Sequence, residues 1–294
     1  MNTRMKFEKI VNLIRQNNLI DAKKLLKNYV KKDPTDVKGI NLLGILLLKE
    51  NNLIDGIQYL KKSLLIKKNQ LDVIKNLISA YQSINEYQDA IQLLEENLNI
   101  HDEELIFKLG YFYNRENYFE KAIHEYKKLI NSNFDQSLLF YNLAISYENY
   151  KKIFDAIECY QTALRYDENN KKVKFNLAAL YLYSNNFKLG WKFFESRLSF
   201  EENLQKYPSK NLQSINCTNK NILLIFEQGI GDHILFSTFL ASLDLITNTF
   251  YLKLDTRLHG FIKRKYQNVN LYEDKHLNLI DYHIYVGSLG STLR

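Results

Sequence analysis

Small residues recur along this chain at Ala22, Gly56, Ala90, Ala122, Ala156 and Gly190, at intervals of 34, 34, 32, 34 and 34 residues. A fixed period of this length marks stacked structural repeats, each too small to bury its apolar face alone. Acids precede four of these positions, at Asp21, Asp55, Asp89 and Asp155. Twelve residues before each later small residue stand Gly44, Ile78, Gly110, Ala144 and Ala178, and three positions on stand Leu47, Tyr81, Tyr113, Tyr147 and Tyr181. The pattern predicts two antiparallel helices per repeat. The small residues let the backbones approach where the helices cross, and the large residue one turn on fills the groove to the next repeat. Ten Gly and two Pro in 294 residues leave few helix breakers, and Pro34 ends the first unit.

This pattern resembles the tetratricopeptide repeat, with about six copies over residues 3–204, and implies a mainly α chain built as an α-solenoid. The inner groove of such a solenoid is lined by the first helix of every repeat and takes a protein or peptide partner. Asn76, Asn142 and Asn176 share one position on those helices, and Leu42 and Lys108 interrupt the series. An amide donates and accepts at once, so these three are candidate peptide-binding residues. A similar asparagine ladder lines the repeats of O-linked N-acetylglucosamine transferase. The chain's many aromatics, such as Tyr81, Tyr113, Tyr147, Tyr160 and Tyr181, fall at positions that a repeat must bury, and Cys159 reads as a packing residue.

After the sixth repeat the periodicity changes. Residues 205–220 are polar, contain Pro208, and read as a linker. Residues 221–294 then alternate: a buried strand at 221–226, a helix over 233–245, strands at 249–254, 269–272 and 282–286, and a helix near 256–266. That order predicts a parallel sheet covered on both faces. Gly229 and Gly231 stand between the first strand and its helix, where absent side chains let a ligand reach the backbone. A dinucleotide fingerprint would require a third Gly where Ile234 stands, and Asp232 would repel a pyrophosphate, so no nucleotide cofactor is expected.

Two further stretches extend the comparison. Gly190-Trp-Lys-Phe-Phe-Glu-Ser-Arg197 is similar to the cap that closes bacterial repeat proteins fused to a glycosyltransferase. Glu227-Gln-Gly-Ile-Gly-Asp232 matches their strand–turn–helix motif, and residues 281–289 resemble their D-x-x-I-P-x-G-S-L stretch, with Tyr285 in place of Pro. The resemblance implies a partial Rossmann-like segment, the N-terminal half of a GT-B transferase of the heptosyltransferase kind. It makes Asp232 the candidate general base toward a sugar acceptor, with Glu227, Gln228, Gly229, Gly231 and His233 as candidate substrate-binding residues. Asp232 is also well placed simply to cap the helix, and His233 to lie exposed in its first turn. The nucleotide-sugar half of that architecture is not in the sequence. The expectation is therefore a protein-binding scaffold attached to an incomplete transferase-like domain, inactive as an isolated chain. The alternative is the acceptor-side half of a sugar-nucleotide-dependent transferase completed by another chain.

Other classes fail on simple grounds. No apolar run approaches the length of a membrane span, and no signal-peptide block opens the chain, so the cytoplasm is the expected location. Two cysteines, Cys159 and Cys217, make no disulfide framework, and the six histidines have no metal-ligand spacing, so no metal is expected. The net charge of +7 is spread: residues 205–294 hold ten Lys/Arg against seven Asp/Glu. No basic arm emerges, and nucleic acid is not an expected partner.

Overall fold

The computed structural model describes residues 3–97, 101–200, 207, 209–212, 218–243 and 248–293. Much of the expected 205–220 linker lies outside them, with Pro208 and Cys217. The chain divides into two compact units, Met1–Lys152 and Ile153–Arg294.

The first unit is helical: α1 (Thr3–Arg15), α2 (Leu19–Lys32), α3 (Val37–Lys49), α4 (Leu53–Ile66), α5 (Leu71–Ser83), α6 (Tyr87–Glu95), α7 (Glu103–Arg115), α8 (Phe119–Lys127) and α9 (Gln136–Asn149). Helices pair as α1 with α2, α3 with α4, α5 with α6 and α7 with α8. The crossing of α3 and α4 is where the small residues act. A Cβ on Gly44 would stand 3.2 Å from the Gly56 carbonyl oxygen, and one on Gly56 3.1 Å from the Gly44 oxygen. Gly110 serves the same end differently, because a Cβ there would meet the Tyr126 ring at 2.7 Å. The large residues one turn on, Leu47, Tyr81, Tyr113 and Tyr147, are buried as the spacing requires.

Each first helix stops at a residue in the left-handed region: Asn17, Asn51, Asn85, Asn117 and Lys151, with φ between 58° and 64°. Asparagine tolerates this conformation better than other side chains because its amide bonds locally. The following N–H closes the turn by bonding back to the large core residue or its equivalent, as Asn52 N to Leu47 O (2.9 Å) and Tyr118 N to Tyr113 O (2.8 Å). Three first helices are restarted by carboxylates: Asp36, Asp102 and Asp135 accept from N–H groups of α3, α7 and α9, whereas Gln70 before α5 makes no such bond.

The second unit opens with α10 (Ile153–Tyr166), α11 (Lys171–Tyr183) and α12 (Phe187–Phe194). It continues through β1 (Lys210–Asn211), β2 (Asn221–Ile225), α13 (Ile230–Phe236), α14 (Leu240–Leu243), β3 (Thr249–Lys253), α15 (His259–Lys265), β4 (Asn270–Leu271), β5 (Tyr282–Tyr285) and α16 (Leu289–Leu293). The sheet is parallel, in the order β1-β5-β2-β3-β4. Ile222, Leu224 and Ile284 pack on Phe236, Leu240 and Ile262 on one face; Leu223 and Ile225 lie with Tyr207, Tyr251 and Tyr285 on the other.

Three details differ from the sequence expectation. The helix predicted over 233–245 begins at Ile230 and is split by a 3-10 turn. There the Ser237 and Thr238 hydroxyls bond the Ile234 and Leu235 carbonyls, each at 2.7 Å, and loosen the helical ladder. A short strand, β1, pairs with β5 inside the stretch read as linker. The crossover from β4 to β5 carries only a 3-10 turn at Asp274–Leu279, so that face is covered by Leu277 and Ile280 and not by an α-helix. No described helix is long and apolar enough to cross a membrane.

Candidate functional site

In the first unit α3 packs on α5 and α7 on α9, so the first helices of neighbouring repeats share one surface. Polar side chains stitch it together. Asn41 donates to Gln70 (2.8 Å), Lys75 lies 2.9 Å from Asp102 and 2.7 Å from Glu104, and Lys108 donates to Gln82 (2.7 Å). The Lys75 ammonium is held protonated above its usual range, first by Glu104 and then by Asp102. The first helices also carry half-buried Phe107 and Tyr111 on α7, half-buried Tyr141 and Ile145 on α9, and exposed Leu138. Phe107 stacks on Phe134 at 4.6 Å between centroids. The surface therefore offers apolar rings set among charged and amide groups.

The candidate asparagines are distributed differently from a continuous ladder. Asn76 and Asn142 lie in the first unit, with Lys108 at the intervening position, and Asn176 in the second. Asn76 donates to the Asp72 carbonyl of its own helix (2.7 Å), and Asn142 to that of Leu138 (2.9 Å). Asn176 donates to the Tyr160 hydroxyl at 3.1 Å. Each amide thus spends one N–H internally.

In the second unit, β2 runs into the Glu227–Asp232 turn. Gln228 takes φ 70°, and Gly229 is the N-cap before α13, its N–H donating to the Asp232 carboxylate at 3.2 Å. Asp232 therefore does cap the helix. Neither glycine is required by the backbone, since neither has positive φ. Packing does not require them either: a Cβ on Gly231 meets nothing within 4 Å, and one on Gly229 only the Asp232 carboxylate at 3.6 Å. The space above the turn is open.

His233 is buried, contrary to the exposed first-turn residue expected. Its Nδ1 accepts from the Asp255 N–H (3.3 Å) and its ring lies 5.6 Å from Phe226. Burial pushes its pKa below the ordinary value, which favours the neutral ring. Asp255 itself is held well below the usual carboxylate range by hydrogen bonds from Arg257.

Glu227 also turns inward. Its Oε1 receives Arg197 Nη2 (2.6 Å), Arg197 Nε (2.9 Å) and the Gly287 N–H (3.1 Å). Arg197 donates further to Ser288 Oγ (3.0 Å), the Phe194 carbonyl (3.2 Å) and Glu195 (3.3 Å), and Ser288 donates to Glu195 (2.9 Å). The carboxylate offered by the sequence as a substrate contact is thus engaged in a buried ion pair. The three motifs read separately in the sequence converge here, a link that nothing in their spacing announced. The place is also specific within the sheet. The chain leaves β2 toward β3 and β4, then returns to β5 on the other side of β2. Open parallel sheets hold ligands at the carboxyl ends of such a reversal; here Arg197 occupies part of it. Among the described residues no group of His, Cys, Asp and Glu has the arrangement of a metal site.

No family model matches the sequence, and no curated protein matches it. Solved structures do match. The crystal structure of MamA protein is 23% identical, with TM-score 0.52, over 58% of this chain and 94% of that one. A tetratricopeptide repeat protein from Parabacteroides merdae is 15% identical, with TM-score 0.56, over 68% of this chain and 80% of that one. YrrB, described as a TPR protein with an unusual peptide-binding site, is 13% identical, with TM-score 0.52, over 61% and 93%. The helical part has the tetratricopeptide-repeat fold. At these identities the likeness carries the fold and no site. Within the tetratricopeptide framework the surface shared by α3, α5, α7 and α9 is the one lined by first helices, where repeat proteins of this kind present their binding groove.

Proposed function

We propose that this chain is a protein-binding scaffold whose first-helix surface takes an extended polypeptide segment. The observation that carries the reading is the set of half-buried apolar side chains, Phe107, Tyr111, Tyr141 and Ile145, on two adjacent first helices of a surface that also carries amide and charged groups. Asn76 and Asn142 would each contribute a remaining amide N–H and an oxygen to a peptide backbone, and Asn176 the same in the second unit. The test is calorimetric titration of peptides selected from a displayed library, against the wild-type chain and Tyr111→Ala and Ile145→Asp variants. Loss of about tenfold or more in affinity supports the groove. Unchanged affinity in both variants refutes it.

The open space above Gly229 and Gly231 favours a second reading for residues 221–294. In it, this segment is the acceptor side of a sugar-nucleotide-dependent transferase of the GT-B kind, completed by another polypeptide. Asp232 would take the proton of the acceptor hydroxyl as that oxygen attacks the sugar carbon, because it sits at the carboxyl end of β2 with hydrogen-bond reach into the open space. Gln228 would help position the acceptor. Glu227 and His233 would act only by shaping the turn from behind. The check is sugar transfer by the chain together with its completing partner. Asp232→Asn should abolish transfer while leaving peptide binding intact, and transfer at the wild-type rate by that variant would refute the base.

A further inference from the structure

From the second repeat to the sixth, the asparagine position of the first helices carries Leu42, Asn76, Lys108, Asn142 and Asn176, so Lys108 alone brings a charge to this series. Its siblings show that the solenoid folds with an amide or an apolar residue there. Packing therefore does not call for the ammonium. Lys108 is half-buried on α7, with Phe107 before it and Tyr111 one turn on.

The two lysines of this surface are treated differently. Lys75 on α5 is held by two carboxylates, Asp102 at 2.9 Å and Glu104 at 2.7 Å. Glu104 stands one turn before Lys108 on the same helix, the spacing of a natural partner, yet it is spent on Lys75. Lys108 donates instead to the neutral Gln82 amide at 2.7 Å. None of the remaining acids on α5, α7 and α9, which are Asp72, Glu103 and Glu148, forms an ion pair with it. Farther along α7, Arg115 lies over the Tyr87 ring at 5.4 Å and adds a second positive charge. An ammonium has three donors, so Lys108 keeps N–H groups and an unneutralised charge for an incoming group.

From this we infer that the first-helix surface selects a polypeptide segment carrying a Glu or Asp side chain, which Lys108 binds between the backbone contacts at Asn76 and Asn142. The inference rests on that surface being the peptide groove proposed above, and it names the residue that sets the groove's preference. Apolar neighbours such as Phe107 and Tyr111 thin the water around the ammonium, which strengthens its pull on a carboxylate. The ion pair would orient the segment and fix its register on the amides. Asn142 holds the equivalent position on α9, which packs against α7. With helix axes about 10 Å apart and about 3.3 Å per extended residue, the acid falls about three residues from the contact at Asn142.

The test selects a library of random peptides, displayed through their C-termini, against the full chain and its Lys108→Asn and Lys108→Glu variants. That fusion leaves no terminal carboxylate, so an enriched acid is a side chain. Asn is what sibling repeats carry at this position, which guards the fold, and thermal unfolding of Lys108→Asn should match wild type. Wild type should enrich Asp or Glu at one position. Lys108→Asn should still select peptides but lose that enrichment, and Lys108→Glu should enrich Lys or Arg there instead. For a peptide selected on wild type, changing its acid to the amide should weaken calorimetric affinity about tenfold, and less than about twofold with Lys108→Asn. An acid absent from the wild-type pool, or kept in the pools of both variants, overturns the proposal. The groove reading survives that result if Tyr111→Ala still weakens the selected peptides. An empty wild-type pool, or peptides indifferent to both Tyr111→Ala and Ile145→Asp, overturns the two together.

Discussion

The Arg197 guanidinium and the Glu227 carboxylate meet at 2.6 Å with side chains only 1% and 4% exposed, so each neutralises a charge that water does not reach. Removing one partner strands the other. Glu227→Ala should lower unfolding stability by about 3 to 5 kcal/mol, measured by urea denaturation. Replacing both, Arg197→Met with Glu227→Leu, should recover much of the loss, because apolar side chains in that space avoid the desolvation penalty. A single variant indistinguishable from wild type would show that the pair is not formed.

Trp191 is the chain's single tryptophan, which makes its environment directly readable. A Cβ on Gly290 would be driven into its indole ring, which also packs edge-on against Phe239 at 5.8 Å. Gly290→Ala should therefore displace the ring, shift its fluorescence emission to the red and cost about 1 to 3 kcal/mol. Unchanged emission would argue against this packing. Gly287→Ala should be at least as damaging, since its Cβ would fall 2.6 Å from Glu227 Oε1 and 2.7 Å from Arg197 Nε.

Lys151 holds φ 64° at the turn where the other first helices end in asparagine. A lysine has no short amide to compensate for the left-handed backbone. Lys151→Gly should raise stability by about 0.5 to 1 kcal/mol, visible as a higher Tm. Asn117→Val at an equivalent turn should do the reverse, because a β-branched side chain resists that conformation. A fall in Tm for Lys151→Gly would count against the strain argument.

His233 and His283 both have pKa values pushed below the ordinary 6.5, in each case chiefly by burial. The unfolded chain therefore binds protons at these rings before the folded chain does. Their contribution to stability is complete above 6.5 and is lost as pH falls through the lower folded-state values. The urea midpoint should drop between about pH 7.5 and about pH 5.5, and a His233→Gln, His283→Gln variant should drop less. An identical pH response in the variant would show that other groups control it.

The repeat was legible because its small residues do one steric job six times, and Gly44 against Gly56 shows that job directly. The central strand β2 was legible as an apolar run, since a parallel strand buried on both faces leaves little else to read, whereas the two-residue β1, with both side chains exposed, left no such mark. The asparagine turns were not, because in a chain rich in asparagine the residues at 17, 51, 85 and 117 look like background until their φ values are known. The inward rotation of Glu227 was invisible for another reason. Its partner lies thirty residues earlier, in a helix cap, and tertiary pairing leaves no mark on local spacing. His233 was misjudged on the same account, because its burial depends on Phe226 and on the end of β3.

The position of Arg197 also bears on how this chain can be taken apart. A cassette that starts after the last helix, at the polar stretch near residue 205, leaves behind the guanidinium on which Glu227, Gly287 and Ser288 converge, together with the Trp191 and Phe194 rings that pack on the sheet's core. The transplantable module therefore begins upstream of α12. The helix that closes the solenoid is at the same time the first structural element of the sheet, and any chimera that exchanges one inherits an obligation to carry the other.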